Sequence, residues 1–88
     1  MMSTETPYAL AQTAMAQLKS SVYLLLQSHP DGMKNSEIGR SLGIYMGHVK
    51  HEGHISRTIL TLMESEGVVE QDQKSKIWKL SRAQPADE

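Results

Sequence analysis

The 88-residue sequence predicts a mainly helical α+β domain, in which three helices are followed by a β-hairpin. Three observations lead there. Apolar residues recur at spacings of three and four from Leu10 to Leu25 and again from Ile55 to Met63, the period of a helix with one buried face. Gly43 and Gly67 each follow such a stretch, at the place where a glycine commonly closes a helix. Beyond Gly67, two β-prone pieces flank a polar turn.

The first helix is expected from about Ala9 to Gln27, on good helix formers with Leu10, Ala14, Leu18, Val22 and Leu25 along one side. Ser28-His29-Pro30-Asp31-Gly32 ends it, because proline cannot continue a helix and Asp-Gly favours a turn. Asn35 or Ser36 is the expected N-cap of a short second helix through Leu42, with Ile38 and Leu42 on one face and Gly43 at its exit. Ile44 to Gly53 is ambiguous: Tyr45, Met46, Gly47 and His48 suit either an extra turn or an early, bent start to the next helix. The third helix is expected over 54–66, with Ile55, Ile59, Leu62 and Met63 inward. The hairpin is expected over 68–80, its strands Val68 to Gln71 and Lys76 to Leu80 joined by Asp72-Gln73-Lys74-Ser75. Trp78 and Leu80 share one strand face, so Trp78 is expected in the core beneath the hairpin. Residues 1–8 and 83–88 are expected to be loose tails around a single domain at 9–82.

Composition narrows the function. With 39% hydrophobic and 22% charged residues the chain can bury a core, so an intrinsically disordered chain is not expected. The absence of cysteine removes disulfides, thiolate metal sites and a cysteine nucleophile. No apolar run approaches a membrane span and no signal-peptide pattern opens the chain, so a cytoplasmic location is expected. No catalytic triad order, phosphate-binding glycine loop or paired carboxylates point to catalysis, and no enzyme activity or cofactor is expected. His48, His51 and His54 with Glu52 invite a metal reading, but Gly53 interrupts the helical spacing and no second ligand cluster supports it; no metal site is expected.

The net charge of −1 and pI of about 6.4 do not mark a nucleic-acid binder, yet charge is segregated along the chain. Residues 34 to 60 carry Lys34, Arg40, Lys50 and Arg57 against Glu37 and Glu52. Residues 61 to 72 carry only acids, and 73 to 82 only bases. One face can therefore be basic on a nearly neutral protein.

The segment Glu37-Ile38-Gly39-Arg40-Ser41-Leu42-Gly43-Ile44 resembles the second helix and turn of helix-turn-helix regulators. Ile55 to Glu66, running into Gly67-Val68-Val69, resembles a winged-helix recognition helix entering its wing, and Trp78-Lys79-Leu80 resembles the closing wing strand. The likeness covers roughly residues 10 to 81 and is to the winged helix-turn-helix DNA-binding family. It implies a transcriptional regulator or accessory DNA-binding domain with the third helix in the major groove of double-stranded DNA and the wing on its backbone. A winged-helix module for protein contacts, or an excised DNA-binding domain of a larger nucleic-acid enzyme, has the same outline.

If the third helix extends back toward Lys50, then Lys50, His54, Arg57 and Thr61 form one exposed stripe at helical spacing. Arg57 leads the candidates, because its fork of donors matches guanine or phosphate acceptors. Ser56 and Thr58 are candidates for shorter contacts. Lys74 and Lys76 flank the hairpin turn, where ammonium groups can reach a DNA backbone, with Lys79 in support. The connection from Leu42 to Ile55 is longer than the usual helix-turn-helix turn, which bears on Lys50 most. The first helix carries more apolar surface than one small core uses, Leu24 to Leu26 covering more than one face, so a homodimer through it is expected.

Overall fold

The computed structural model describes residues 6–46 and 52–82; Lys50, His48, His51, most of the expected N-terminal tail and the C-terminal tail lie outside them. The order of elements is α1 (Pro7–Gln27), α2 (Asn35–Ser41), α3 (His54–Ser65), β1 (Val69–Gln71) and β2 (Trp78–Leu80). Three helices followed by an antiparallel hairpin is the order that the residue pattern predicts, and it matches the winged-helix arrangement that the resemblance implies.

α1 starts at Pro7, earlier than expected. Thr6 is extended and its Oγ1 accepts from the Ala9 amide at 3.1 Å, while Pro7 supplies a first-turn residue whose missing N–H costs nothing there. Val22 and Leu26 are its only fully buried residues, both near its C-terminal end. The Ser28 hydroxyl closes the helix by donating to Leu24 O, and the Gly32 amide returns to His29 O in the turn that follows.

Before α2 the chain makes a contact that the residue pattern does not announce. Met33 and Trp78 exchange both backbone hydrogen bonds, at 2.9 and 2.8 Å, so the chain entering α2 lies along the outer edge of β2. The α2 N-cap is Lys34, not Asn35 or Ser36. Its amide donates to Glu37 Oε1 at 2.8 Å, and the Asn35 side chain is committed elsewhere. At the exit, the Ile44 amide reaches Gly39 O and the Gly43 amide reaches Arg40 O; Gly67 and Val68 repeat this closure on Glu64 O and Met63 O at the end of α3.

α3 begins at His54 behind Gly53, which sits in the left-handed region at φ 86°. A left-handed residue turns the chain off the helix axis, so α3 does not continue back through Gly53; Lys50 lies outside the described residues. The inward face is also rotated from the expected one. Ser56, Ile59, Leu60 and Met63 are buried, whereas Ile55 and Leu62 remain 38% and 36% exposed. The cause lies in α2. Gly39 has no side chain, and the Cβ it lacks would stand 3.1 Å from Ser56 Oγ, so the two helices approach closely where both residues are small and Ser56 turns inward.

β1 and β2 pair antiparallel with Val69 opposite Leu80, Glu70 opposite Lys79 and Gln71 opposite Trp78. The core joins Val22, Leu26, Met33, Ile38, Ile59, Leu60, Met63, Val69 and Trp78. Trp78 is 4% exposed, the core position expected of it. No helix among the described residues is long and apolar enough to cross a membrane.

Candidate nucleic-acid interface

The start of α3 is held by a small polar knot. Asn35, the first residue of α2, donates from Nδ2 to Gly53 O at 3.2 Å and accepts the Ser56 hydroxyl on Oδ1 at 2.8 Å. Ser56 Oγ also lies 3.2 Å from Gly53 O, which accepts the Arg57 amide as well. The knot uses the remaining acceptor capacity of Gly53 O and satisfies a hydroxyl buried to 0% exposure. It therefore fixes the first turn of α3 against the first residue of α2.

Arg57 and Thr61 follow on the flank of α3 that faces the hairpin. They border an open groove of about 520 Å³ between α3, the start of α2 and β2, with Glu64 one turn further on. Lys34, Asn35 and Ser36 enter it from α2, and Lys76 and Gln71 from the hairpin. Three cations from three elements thus meet on one concave surface whose single carboxylate is Glu64. Lys76 owes its direction to a local turn: Asp72 Oδ2 accepts the Ser75 amide at 2.7 Å, Asp72 O accepts the Lys76 amide at 2.7 Å, and Lys76 takes φ +65°. The Ser75 amide, and secondarily its hydroxyl, hold the Asp72 carboxyl below its ordinary range. Thr61 Oγ1 donates to Arg57 O at 2.9 Å, so its lone pairs are the part it can offer a ligand.

The other candidates separate. Ser56 is withdrawn from the contact face: it is buried and its hydroxyl is used inside the knot, because it sits where α2 crosses α3. His54 and Thr58 are exposed on α3 but border a different, apolar groove on the α1 side, with Met15, Leu18, Ile55 and Ile59. Lys74 is exposed in the hairpin turn and does not line the cationic groove. Lys79 stands opposite Glu70 and beside Asp72, so its charge serves the hairpin. Lys50 lies outside the described residues.

Lys34 is the member that sequence reasoning missed. It counted toward the basic excess of residues 34 to 60, but nothing local shows that the chain beside it is pinned to β2. Tyr45 also borders the groove, and the Arg40 guanidinium lies 4.5 Å from its ring centroid, fixing the ring from outside. Trp78 also lines the groove, but at 4% exposure it is chiefly a core residue. Among the described residues no group of three His, Cys, Asp or Glu is placed to hold a metal ion. Comparison with protein-family models, with curated proteins and with solved structures returns no match.

Proposed function

We propose that this chain binds duplex DNA in the winged-helix manner, as a transcriptional regulator or accessory DNA-binding domain. What supports this reading is the convergence of Lys34, Arg57 and Lys76, from the N-cap of α2, from α3 and from the hairpin, on one open groove in a chain whose net charge is −1. Scattered solvated charges would not gather so, and the acids of residues 61 to 72 other than Glu64 stay out of the groove lining.

In this reading α3 enters the major groove, which is about 12 Å wide and accepts one helix. Arg57 carries the strongest contact, bidentate to guanine or phosphate, and Thr61 accepts from a base amine one turn further on. Lys34 and Lys76 meet phosphates beside that helix, on its hairpin-facing flank. They set position and contribute affinity by releasing counterions. The polar knot makes α3 rigid at its first turn, so the ordering cost on binding is small there.

The test is fluorescence anisotropy on duplex DNA over a salt series. The slope of log affinity against log salt should flatten by about one for each of Lys34→Ala, Arg57→Ala and Lys76→Ala, and by less for Lys79→Ala. Absence of duplex binding, or slopes that the three groove variants leave unchanged, would overturn the proposal.

A further inference from the structure

α1 is longer than the body it packs on. Tyr8, Ala11, Met15, Leu18, Val22 and Leu25 follow one another at alternating spacings of three and four, the seam of a helix that packs along its length. Burial along this seam decays toward the N-terminus. Val22 is fully buried, Leu18 and Met15 are half-buried, Ala11 is exposed, and Tyr8 is 75% exposed. The face that builds the core thus runs on past the end of α3, and none of the described residues covers it. Where the body stops, Met15 and Leu18 join Ile55, Thr58, Ile59 and His54 in a shallow apolar groove.

From this juxtaposition we infer that α1 pairs antiparallel with α1 of a second copy of this chain, across a two-fold axis near Thr13. Three observations select a copy over another occupant. Pro7 to Leu18 contains no charged residue, in a chain that is 22% charged. A two-fold contact brings a surface against itself, so a neutral stretch meets its copy without like-charge repulsion, and it offers nothing to a charged partner. The overhang and the groove complement each other in position. At about 1.5 Å per residue, an antiparallel pair centred on Thr13 sets Tyr8 against the partner's Leu18 and Ala11 against the partner's Met15, so each overhang ends on the other copy's groove. Finally, the first two turns of α1 bury no residue in their own chain, and such a stretch gains little helical stability in water without packing. Alanines at 9, 11, 14 and 16 allow the helix axes to approach closely. The contact is modest, burying on the order of 1,000 Å² in all, and its dissociation constant belongs in the micromolar range.

The test is sedimentation equilibrium of the full chain from about 1 to 200 µM, a range that brackets such a constant. The wild-type chain should pass from monomer to dimer. Ala11→Glu, at an exposed position outside the core, should weaken the dimer at least about tenfold with unchanged helical circular dichroism. Leu24→Glu, also exposed but off the seam, should leave it intact. Adding Met15→Lys to Ala11→Glu should restore association, because the antiparallel register sets residue 11 beside the partner's residue 15. A wild-type chain that stays monomeric, or equal loss from Leu24→Glu and Ala11→Glu, overturns the inference. So does failure of the double variant to regain any association. None of these outcomes touches the DNA reading, which rests on the opposite flank of α3.

Discussion

Two glycines share a backbone conformation but not a neighbourhood, and replacing each by alanine separates strain from crowding. Gly53 has φ +86° and Gly67 φ +79°. An L-residue in that region costs roughly 1–2 kcal/mol, and a stiffer unfolded chain returns roughly 0.4–1 of it. At Gly67 a new Cβ meets nothing within 4 Å, so Gly67→Ala should cost only this difference, about 1 kcal/mol. At Gly53 the Cβ would lie 2.7 Å from Asn35 Nδ2 and 2.9 Å from Tyr45 Cε1. Asn35 must then swing away and release both Gly53 O and the Ser56 hydroxyl, adding about 2 kcal/mol from crowding and lost hydrogen bonding. Urea unfolding followed by the fluorescence of Trp78, the one tryptophan, reads both variants with one probe buried in the common core. The expected losses of unfolding free energy are about 1 kcal/mol for Gly67→Ala and about 3 kcal/mol for Gly53→Ala. Losses that agree to within about 0.5 kcal/mol, or fall in the reverse order, would refute the view that Asn35 and Tyr45 enforce the start of α3.

Ser56→Ala should lower stability by about 1 kcal/mol in the same urea assay, and leave the salt slope of DNA binding at its wild-type value; a flattened slope would return Ser56 to the contact face. Lys19 and Glu66 form a 2.7 Å ion pair between α1 and the end of α3, with side chains 31% and 45% exposed. Lys19→Met should therefore shift stability by less than about 1 kcal/mol, and a larger loss in thermal unfolding would show that the pair clamps the two helices. Asp72 titrates below its ordinary value of 3.8, chiefly because the Ser75 amide binds the carboxylate. Its contribution to folding is complete above that unfolded value and is lost as pH falls through the lower folded one. In carbon-detected NMR the Asp72 carboxyl should titrate below 3.8, and Asp72→Asn should remove the matching acid shift of the Ser75 amide; a midpoint at or above 3.8 would refute the turn.

Much of the fold was legible because its signals are local. The helix exits at Gly43 and Gly67 need only a residue that tolerates a left-handed turn, and the break after Gln27 needs only the proline and the Asp-Gly pair. The Trp78 position followed from strand alternation. What escaped depends on neighbours distant in sequence. Met33 is a single extended residue between a turn and a helix, too short to show any period, and its bond to Trp78 is made across the domain. α3 carries apolar residues at 55, 59, 60, 62 and 63, more than one face can hold, so periodicity leaves its rotation open by about one residue. Gly39 and Ser56 decide that rotation by allowing close approach, and this is why the expected Ser56 contact and the inward Ile55 and Leu62 were misplaced. The candidate site was half legible: Arg57, Thr61 and Lys76 came from spacing and charge, while Lys34 joins them only through the folded backbone.

The exchange of hydrogen bonds between Met33 and Trp78 works as a gauge block. Lys34 is the residue after Met33, and Lys76 stands two residues before Trp78, so two cations far apart in sequence are each a step or two from the same pair of backbone bonds. Backbone bonds do not change when side chains do. If the two lysines hold phosphates as proposed, substitution at either alters how firmly an anion is held, but not the distance between the two positions. Within this fold the interval between the two lysines is set by the main chain, and on the proposed DNA-binding reading descendants of this sequence can tune strength and base preference while keeping the same span.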